Sequence, residues 1–189
     1  EREPRDISVL NVGCGPAVDI QRFIAEHPHP ERLKFKLMDF SEETLAYTRS
    51  CIEKACQEHG KQVQVEYIHE SVNQLLKRAS KRDDPFDPQT KFDFVYCAGL
   101  FDYLSDKVCA RLVQYFVART NPGGTVMVTN VHSSNPQKNV MEHLLEWHLI
   151  YRDEVQLEGV LPVSRRSTRL YTDETGVNVF AEFEVPGEA

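Results

Sequence analysis

A strand, a turn and a helix follow one another at the start of this chain, and the recurrence of that unit decides what the chain can fold into. ISVLNV (residues 7–12) is a short β-branched run, GCGPA turns the chain, and VDIQRFIAE then carries apolar residues at helical spacing. KFKLMDF (34–40) repeats the strand, and Ser41 ahead of Glu42 and Glu43 predicts an N-cap with acids in the first turn of a helix that Gly60 stops. VQVEYIH (63–69) alternates as a third strand, and SVNQLLKRAS opens the next helix. FDFVYCA (92–98) is almost wholly apolar, as a central parallel strand covered on both faces requires. SDKVCARLVQYFVART follows with Ser105 as its cap, and NPGG turns the chain into TVMVTNV (125–131). A helix is expected over about 138–150, after which STRLYT (167–172) and VNVFAEFEV (177–185) flank DETG as an antiparallel hairpin. Strands joined through helices pair in parallel, so the pattern predicts an α/β fold: a doubly wound, mostly parallel seven-stranded sheet with an antiparallel C-terminal hairpin.

The polar stretch KRDDPFDPQT (81–90), twice broken by proline, reads as a surface loop too short to separate domains, so residues 1–189 are expected to form a single one. Lys and Arg number 22 against 29 Asp and Glu, a net charge of −7 that offers no general attraction to a phosphate backbone. Nucleic acid is therefore not an expected partner. No apolar run nears the roughly 20 residues of a bilayer span, and the acidic start EREPRD does not read as a signal peptide. Cys14, Cys51, Cys56, Cys97 and Cys109 form no CxxC pair, and His143 and His148 are five apart, so neither a disulfide framework nor a metal site is expected. Reduced thiols suit a cytoplasmic location.

In a doubly wound sheet, ligands bind at the carboxyl ends of the strands. Gly13 and Gly15 lie in the first such turn, where absent side chains let backbone approach a ligand. Asp39 ends the second strand 24 residues after Gly15, where a carboxylate can accept hydrogen bonds from ribose hydroxyls. The competing reading is a nicotinamide dinucleotide, but its GxGxxG fingerprint keeps a third glycine where this chain has Val18.

Taken together these residues resemble the class I S-adenosylmethionine-dependent methyltransferases, a Rossmann-like family, over nearly the whole chain. VLNVGCGPA resembles the first motif, VEYIHESVNQL the third-strand motif, FDFVYCAGLFDYL the fourth, and NPGGTVMVTN the turn and strand that follow. The resemblance implies S-adenosyl-L-methionine as cofactor. It would be held by Asn11, Gly13, Cys14, Gly15 and Pro16, by Asp39 and Phe40, by Ser71 and Val72, and by Cys97, Ala98 and Gly99. Ser71 stands where the family commonly has an Asp on the adenine amino group. GLFDYLSDKVC, NPGGTVMVTNVHSSNP, WHLIYRDE and DETGVNVF further resemble bacterial methyltransferases assigned to 3-hydroxy fatty acid methyl esters, a class of quorum signal. In that family the methyl acceptor is a fatty carboxylate. The first strand starts at about residue 7, leaving no room ahead of it for the helices that commonly cap the family's site, so either a minimal domain without them or a trimmed piece of a longer chain is expected.

His132 ends a predicted core strand and is the candidate general base or substrate contact, against the alternative of a capping loop histidine. Phe101, Tyr103, Trp147, Tyr151 and Arg152 are candidate acceptor contacts, although an aromatic stripe at helical spacing also suits a core. Cys14 reads as a small residue that fits the turn. Arg165, Arg166 and Arg169 read as a solvated basic face before a carboxylate trap. Besides a small-molecule methyltransferase, two readings stay open: a nucleic acid methyltransferase, disfavoured by charge, and a cofactor-binding module without activity.

Overall fold

The computed structural model describes residues 6–81, 83–87, 89–162 and 168–187. Arg165, Arg166 and Ser167, the first residue of the expected sixth strand, lie outside the described residues. Seven strands form one mixed sheet: β1 (Ile7–Val12), β2 (Leu33–Asp39), β3 (Gln64–His69), β4 (Phe92–Cys97), β5 (Thr120–Val131), β6 (Thr168–Thr172) and β7 (Asn178–Glu184). Their order is β3-β2-β1-β4-β5-β7-β6. β1 runs parallel to β2 and β2 to β3, while β7 is antiparallel to both β5 and β6. The helices between them are α1 (Val18–Glu26), α2 (Glu42–His59), α3 (Val72–Ser80), α4 (Asp106–Arg119), α5 (Lys138–His143) and α6 (Glu154–Glu158). The chain divides into two compact units, Glu1–Val95 and Tyr96–Ala189.

In the first unit, parallel pairing of Val12 with Met38 sets the glycine turn after β1 beside the end of β2. α2 buries Leu45, Thr48, Ile52 and Ala55, a helical stripe, and the chain ends it as expected: Ser41 accepts from the Thr44 N–H and Gly60 adopts φ 61°. α1 has no glycine stop. Lys61 closes it instead, its ammonium donating to the carbonyls of Ile24, Ala25 and His27 at 2.7–2.9 Å. This satisfies acceptors that a helix end leaves free and sets a cation at the negative end of the dipole.

In the second unit, three expectations change. NPGG does not break the chain: β5 already begins at Thr120. Gly123, at φ 76°, donates to the Val185 carbonyl and Gly124 accepts from the Val185 N–H, both at 2.8 Å, so two glycines oppose one residue in a bulge. The helix expected over 138–150 stops at His143. Beyond it the Ile150 and Arg152 N–H groups reach the carbonyls of Asp102 and Val131, at 2.8 and 3.2 Å, and these tertiary partners replace helical ones. A short helix that apolar periodicity did not reveal, α6, opens with a capping box between Asp153 and Gln156. Ser105 stands at the N-cap of α4 but makes no side-chain cap bond.

The β6–β7 turn hangs on Asp173. Its carboxylate accepts from Thr175 N–H and Oγ, Val177 N–H, Asn178 N–H and Asn178 Nδ2. The Thr175 hydroxyl foremost, with Asn178 and Val177, holds its pKa down to about 2. Because the folded value is depressed, its contribution is complete above the unfolded value of about 3.9 and is lost as pH falls through the folded one. Asp173→Ala should cost about 1–2 kcal/mol at neutral pH. Urea unfolding at pH 7 and near pH 2.5 checks this, with the gap between wild type and variant narrowing in acid.

Candidate functional site

In the first unit the glycine turn is built by backbone bonds and closed by one carboxylate. Gly13 and Cys14 donate to the Met38 carbonyl at 2.8 and 3.0 Å, curling the chain over the end of β2. Gly13 (φ 71°) and Gly15 (φ 49°) take the left-handed conformation that favours glycine. Ala17, at φ 49°, takes it without that freedom, a strained position beside the candidate site. Asp39 Oδ2 accepts from the Gly15 N–H and Oδ1 from the Ser41 N–H, each at 3.0 Å. Each oxygen keeps a further lone pair. The Thr48 hydroxyl donates to the Gly15 carbonyl at 2.6 Å, a contact that a threonine inside a helix does not announce in sequence.

A cavity of about 490 Å³ opens here, lined by Gly15, Pro16, Asp39, Phe40, Glu43, Thr44 and Tyr47. Phe40 is 72% exposed on its rim, an aromatic face open to solvent. A Cβ built on Gly15 would meet nothing within 4 Å, so the open side of the turn has room for a ligand. Asn11 is buried on β1, and its Oδ1 has no hydrogen-bond partner among the described residues. Burial first, and then the Asp39 carboxylate, pushes the Cys14 thiol up to about 12, so Cys14 is an inert small residue of the turn.

Ser71 and Val72 begin α3. Ser71 Oγ accepts from the Gln74 N–H and donates to Gln74 Oε1 at 2.6 Å, a capping box that engages its hydroxyl within the helix start. A larger cavity of about 680 Å³ lies away from the glycine turn, between the C-terminal half of α2 and β3. Its wall includes Arg49 stacked on Tyr67, whose phenol burial pushes up to about 12.

In the second unit Cys97 is fully buried, while Ala98 and Gly99 are exposed where the chain leaves β4. Gly99 (φ 76°) donates to Thr129 Oγ1 at 3.1 Å. The next turn, Phe101–Tyr103, separates the candidate acceptor contacts. Phe101 has no exposed surface and belongs to the core, because the 3-10 turn directs it inward. Tyr103 is 54% exposed, and the Trp147 indole donates to its hydroxyl at 2.8 Å. Tyr151 is half-buried beneath Lys138, whose ammonium sits 4.4 Å from the ring centroid.

Arg152 is not a substrate contact. It is 2% exposed, and all five of its N–H donors are used inside the unit, on Asp106, Phe101, Asn130 and Leu104. His132 is likewise engaged at both nitrogens. The Ser134 N–H donates to Nδ1 at 3.1 Å, which puts the neutral ring's proton on Nε2, facing Glu154 Oε2 at 3.1 Å. The Ser134 hydroxyl lies 2.6 Å from Nδ1. Glu154 is held below the usual carboxylate range by its own backbone N–H and by His132. Asp102, which the sequence did not single out, is a buried carboxylate whose pKa desolvation raises.

All five cysteines are free, and no group of three metal-ligating side chains gathers among the described residues. Among curated protein sequences none matches this chain. Solved structures similar in fold include a possible exported protein from Bordetella parapertussis, with TM-score 0.68 and 16% identity over 98% of this chain and 64% of the other. N-methyltransferase NodS from Bradyrhizobium japonicum, in complex with S-adenosyl-L-homocysteine, gives 0.60 and 13% over 96% and 79%. Magnesium protoporphyrin IX methyltransferase from Synechocystis, with the same compound bound, gives 0.62 and 12% over 95% and 74%. The chain thus spans less than two thirds of the Bordetella protein's length, and about half, 52%, of that of an O-methyltransferase family protein from Burkholderia thailandensis. Such identities establish the shared fold. The family described as "Methyltransferase domain" matches residues 9–124, more than half of the sequence, and this chain belongs to it.

Proposed function

We propose that residues 1–189 work as one class I methyltransferase domain that uses S-adenosyl-L-methionine to methylate the carboxylate of a fatty acid, a 3-hydroxy fatty acid of the quorum-signal class. The observation that carries the cofactor is the Asp39 carboxylate: anchored to the Gly15 and Ser41 N–H groups, it keeps free lone pairs toward an open cavity rimmed by Phe40. In this reading Asp39 holds the ribose, Phe40 covers the adenine and the glycine turn passes the methionine moiety. Ser71 Oγ, engaged in its capping box, makes the adenine contact of the Val72 start chiefly a backbone one. The neighbours crystallised with S-adenosyl-L-homocysteine favour the same cofactor.

The acyl acceptor is supported by the segment after β5. α5 buries no residue, and Val140, Leu144, Leu145, Trp147 and Ile150 are exposed along it. Apolar surface on that scale suits an apolar ligand. When bound, the cofactor supplies a methyl group on a positively charged sulfur. The chain's role is to hold the acceptor oxygen in line with that carbon and to exclude water, and proximity alone can supply about 7–11 kcal/mol of such a barrier. A carboxylate is already ionised at neutral pH, so no residue need take a proton. His132, with both nitrogens engaged, then acts by shaping the β5 exit. The free thiols suit a reducing, cytoplasm-like compartment. No helix among the described residues is long and apolar enough to cross a membrane.

Calorimetry should show S-adenosyl-L-methionine and its demethylated product binding in preference to NADH, and mass spectrometry should find methyl esters among 3-hydroxy fatty acids of increasing chain length. Binding of NADH alone would overturn the cofactor, and methylation of other acceptors only would overturn the substrate. His132→Gln should leave kcat within a few-fold for a carboxylate acceptor; a loss of about 100-fold or more, with cofactor affinity intact, would mark general-base catalysis and a hydroxyl or amine acceptor.

A further inference from the structure

Arg152 leads the largest fully buried side chains among the described residues, yet it carries a charge and lies in a segment with no regular structure. Its donors explain why. Nη1 reaches the Phe101 carbonyl at 2.9 Å and Asn130 Oδ1 at 2.6 Å; Nη2 reaches the Leu104 carbonyl and Asp106 Oδ1 at 2.7 Å; Nε reaches Asp106 Oδ1 at 3.0 Å. The two carbonyls bracket the turn that displays Tyr103. Asn130 passes the connection on, donating through Nδ2 to the Ile150 carbonyl at 2.8 Å. Asp102 closes the ring from the other side: its Oδ1 accepts from the Val131 N–H at 2.6 Å and its carbonyl from the Ile150 N–H at 2.8 Å. The turn after β4, the end of β5 and the segment at 150–152 are thus tied from beneath by one buried polar network. On its outer side the turn after β4 meets the stretch that leads into Ile150 at the Trp147–Tyr103 hydrogen bond.

We infer that Arg152 is a positioning residue for the acceptor: through Asn130 and the Phe101 and Leu104 carbonyls it fixes the spacing of Tyr103 and Trp147, an aromatic pair that grips the acyl chain. This rests on the methyltransferase reading above and adds to it the residues that set acceptor affinity without touching the acceptor. A fork of five donors is required, because a lysine ammonium has three and cannot bridge both carbonyls and Asn130 while keeping Asp106. The charge is tolerated in the core because every donor is satisfied and a carboxylate lies at hand.

Trp147 is the only tryptophan of the chain, so its emission and its quenching by acrylamide report this pair directly in the whole protein. Arg152→Lys tests the fork. Asn130→Asp is the second variant: it keeps the oxygen that Arg152 uses and replaces the Nδ2 donor to the Ile150 and Val131 carbonyls by an oxygen that opposes them. Both should shift Trp147 emission to the red and raise its quenching, as Tyr103→Phe should by removing the indole's acceptor. Asn130→Asp should raise acceptor KM about tenfold while kcat and cofactor affinity stay within a few-fold. Unchanged Trp147 emission and unchanged acceptor KM in folded Asn130→Asp would overturn the assignment, even if Arg152→Lys lowers stability. If the wild type transfers no methyl group, the enzymatic reading fails, and the fluorescence of Asn130→Asp still decides whether the network positions the pair.

Discussion

Phe101→Ala is expected to lower the free energy of unfolding by about 3–5 kcal/mol, the range for emptying an aromatic site in a packed core. The ring has no exposed surface, and the unit around it also buries Phe116, Leu112 and Val128 completely. Close packing leaves little room for such a site to collapse, so most of the cavity should persist. Chemical denaturation checks the size of the effect. A variant of wild-type stability with a weakened acceptor KM would instead restore Phe101 to the substrate contacts. Phe101→Leu should recover much of the loss, because a smaller change of volume leaves a smaller void.

The second large effect is expected at Asp39. Asp39→Ala should weaken S-adenosyl-L-methionine binding by about 1.5–3 kcal/mol, a factor of roughly 10 to 150, the scale of hydrogen bonds to a charged group. The same substitution takes the acceptor from the Gly15 and Ser41 N–H groups, so the turn itself should loosen. Asp39→Asn separates the two roles. Its single carbonyl oxygen can retain one of the backbone donors, but its amide cannot accept from a ribose hydroxyl. Calorimetric affinity should therefore fall for both variants, with unfolding free energy falling further for the alanine. Equal affinity in wild type and Asp39→Ala would reject the ribose assignment.

The strands and long helices were legible because their signals are local. ISVLNV, KFKLMDF and FDFVYC carry their own patterning, and Ser41 and Gly60 mark the ends of α2 with side-chain chemistry that needs no tertiary partner. The glycine turn and Asp39 were legible as a pair for the same reason: residue type and spacing together state the geometry. Arg152 was misread because its role is defined by Phe101, Asn130 and Leu104, up to 51 positions away, and nothing in WHLIYRDE distinguishes a buried guanidinium from one offered to a carboxylate. The helix expected over 138–150 stops at His143: Leu144, Leu145, Trp147 and Ile150 are exposed, and the backbone that follows bonds to β5 and to Asp102, partners that no local pattern announces. Glu154 and Thr48 meet His132 and Gly15 across 22 and 33 positions and left no local signal.

The closure of α1 by Lys61 has a consequence for the order of folding. That ammonium arrives 34 to 37 positions after the carbonyls it serves, beyond the whole of β2 and α2. Isolated helices of nine residues are marginal in water, and α1 is nine residues long with no basic side chain in its own last turn. Its final turn therefore cannot belong to an early, purely local nucleus: it matures only once the chain has passed through two further elements and returned. The helix that directly follows the glycine turn is thus completed late, although it leaves the ribosome before the elements that complete it.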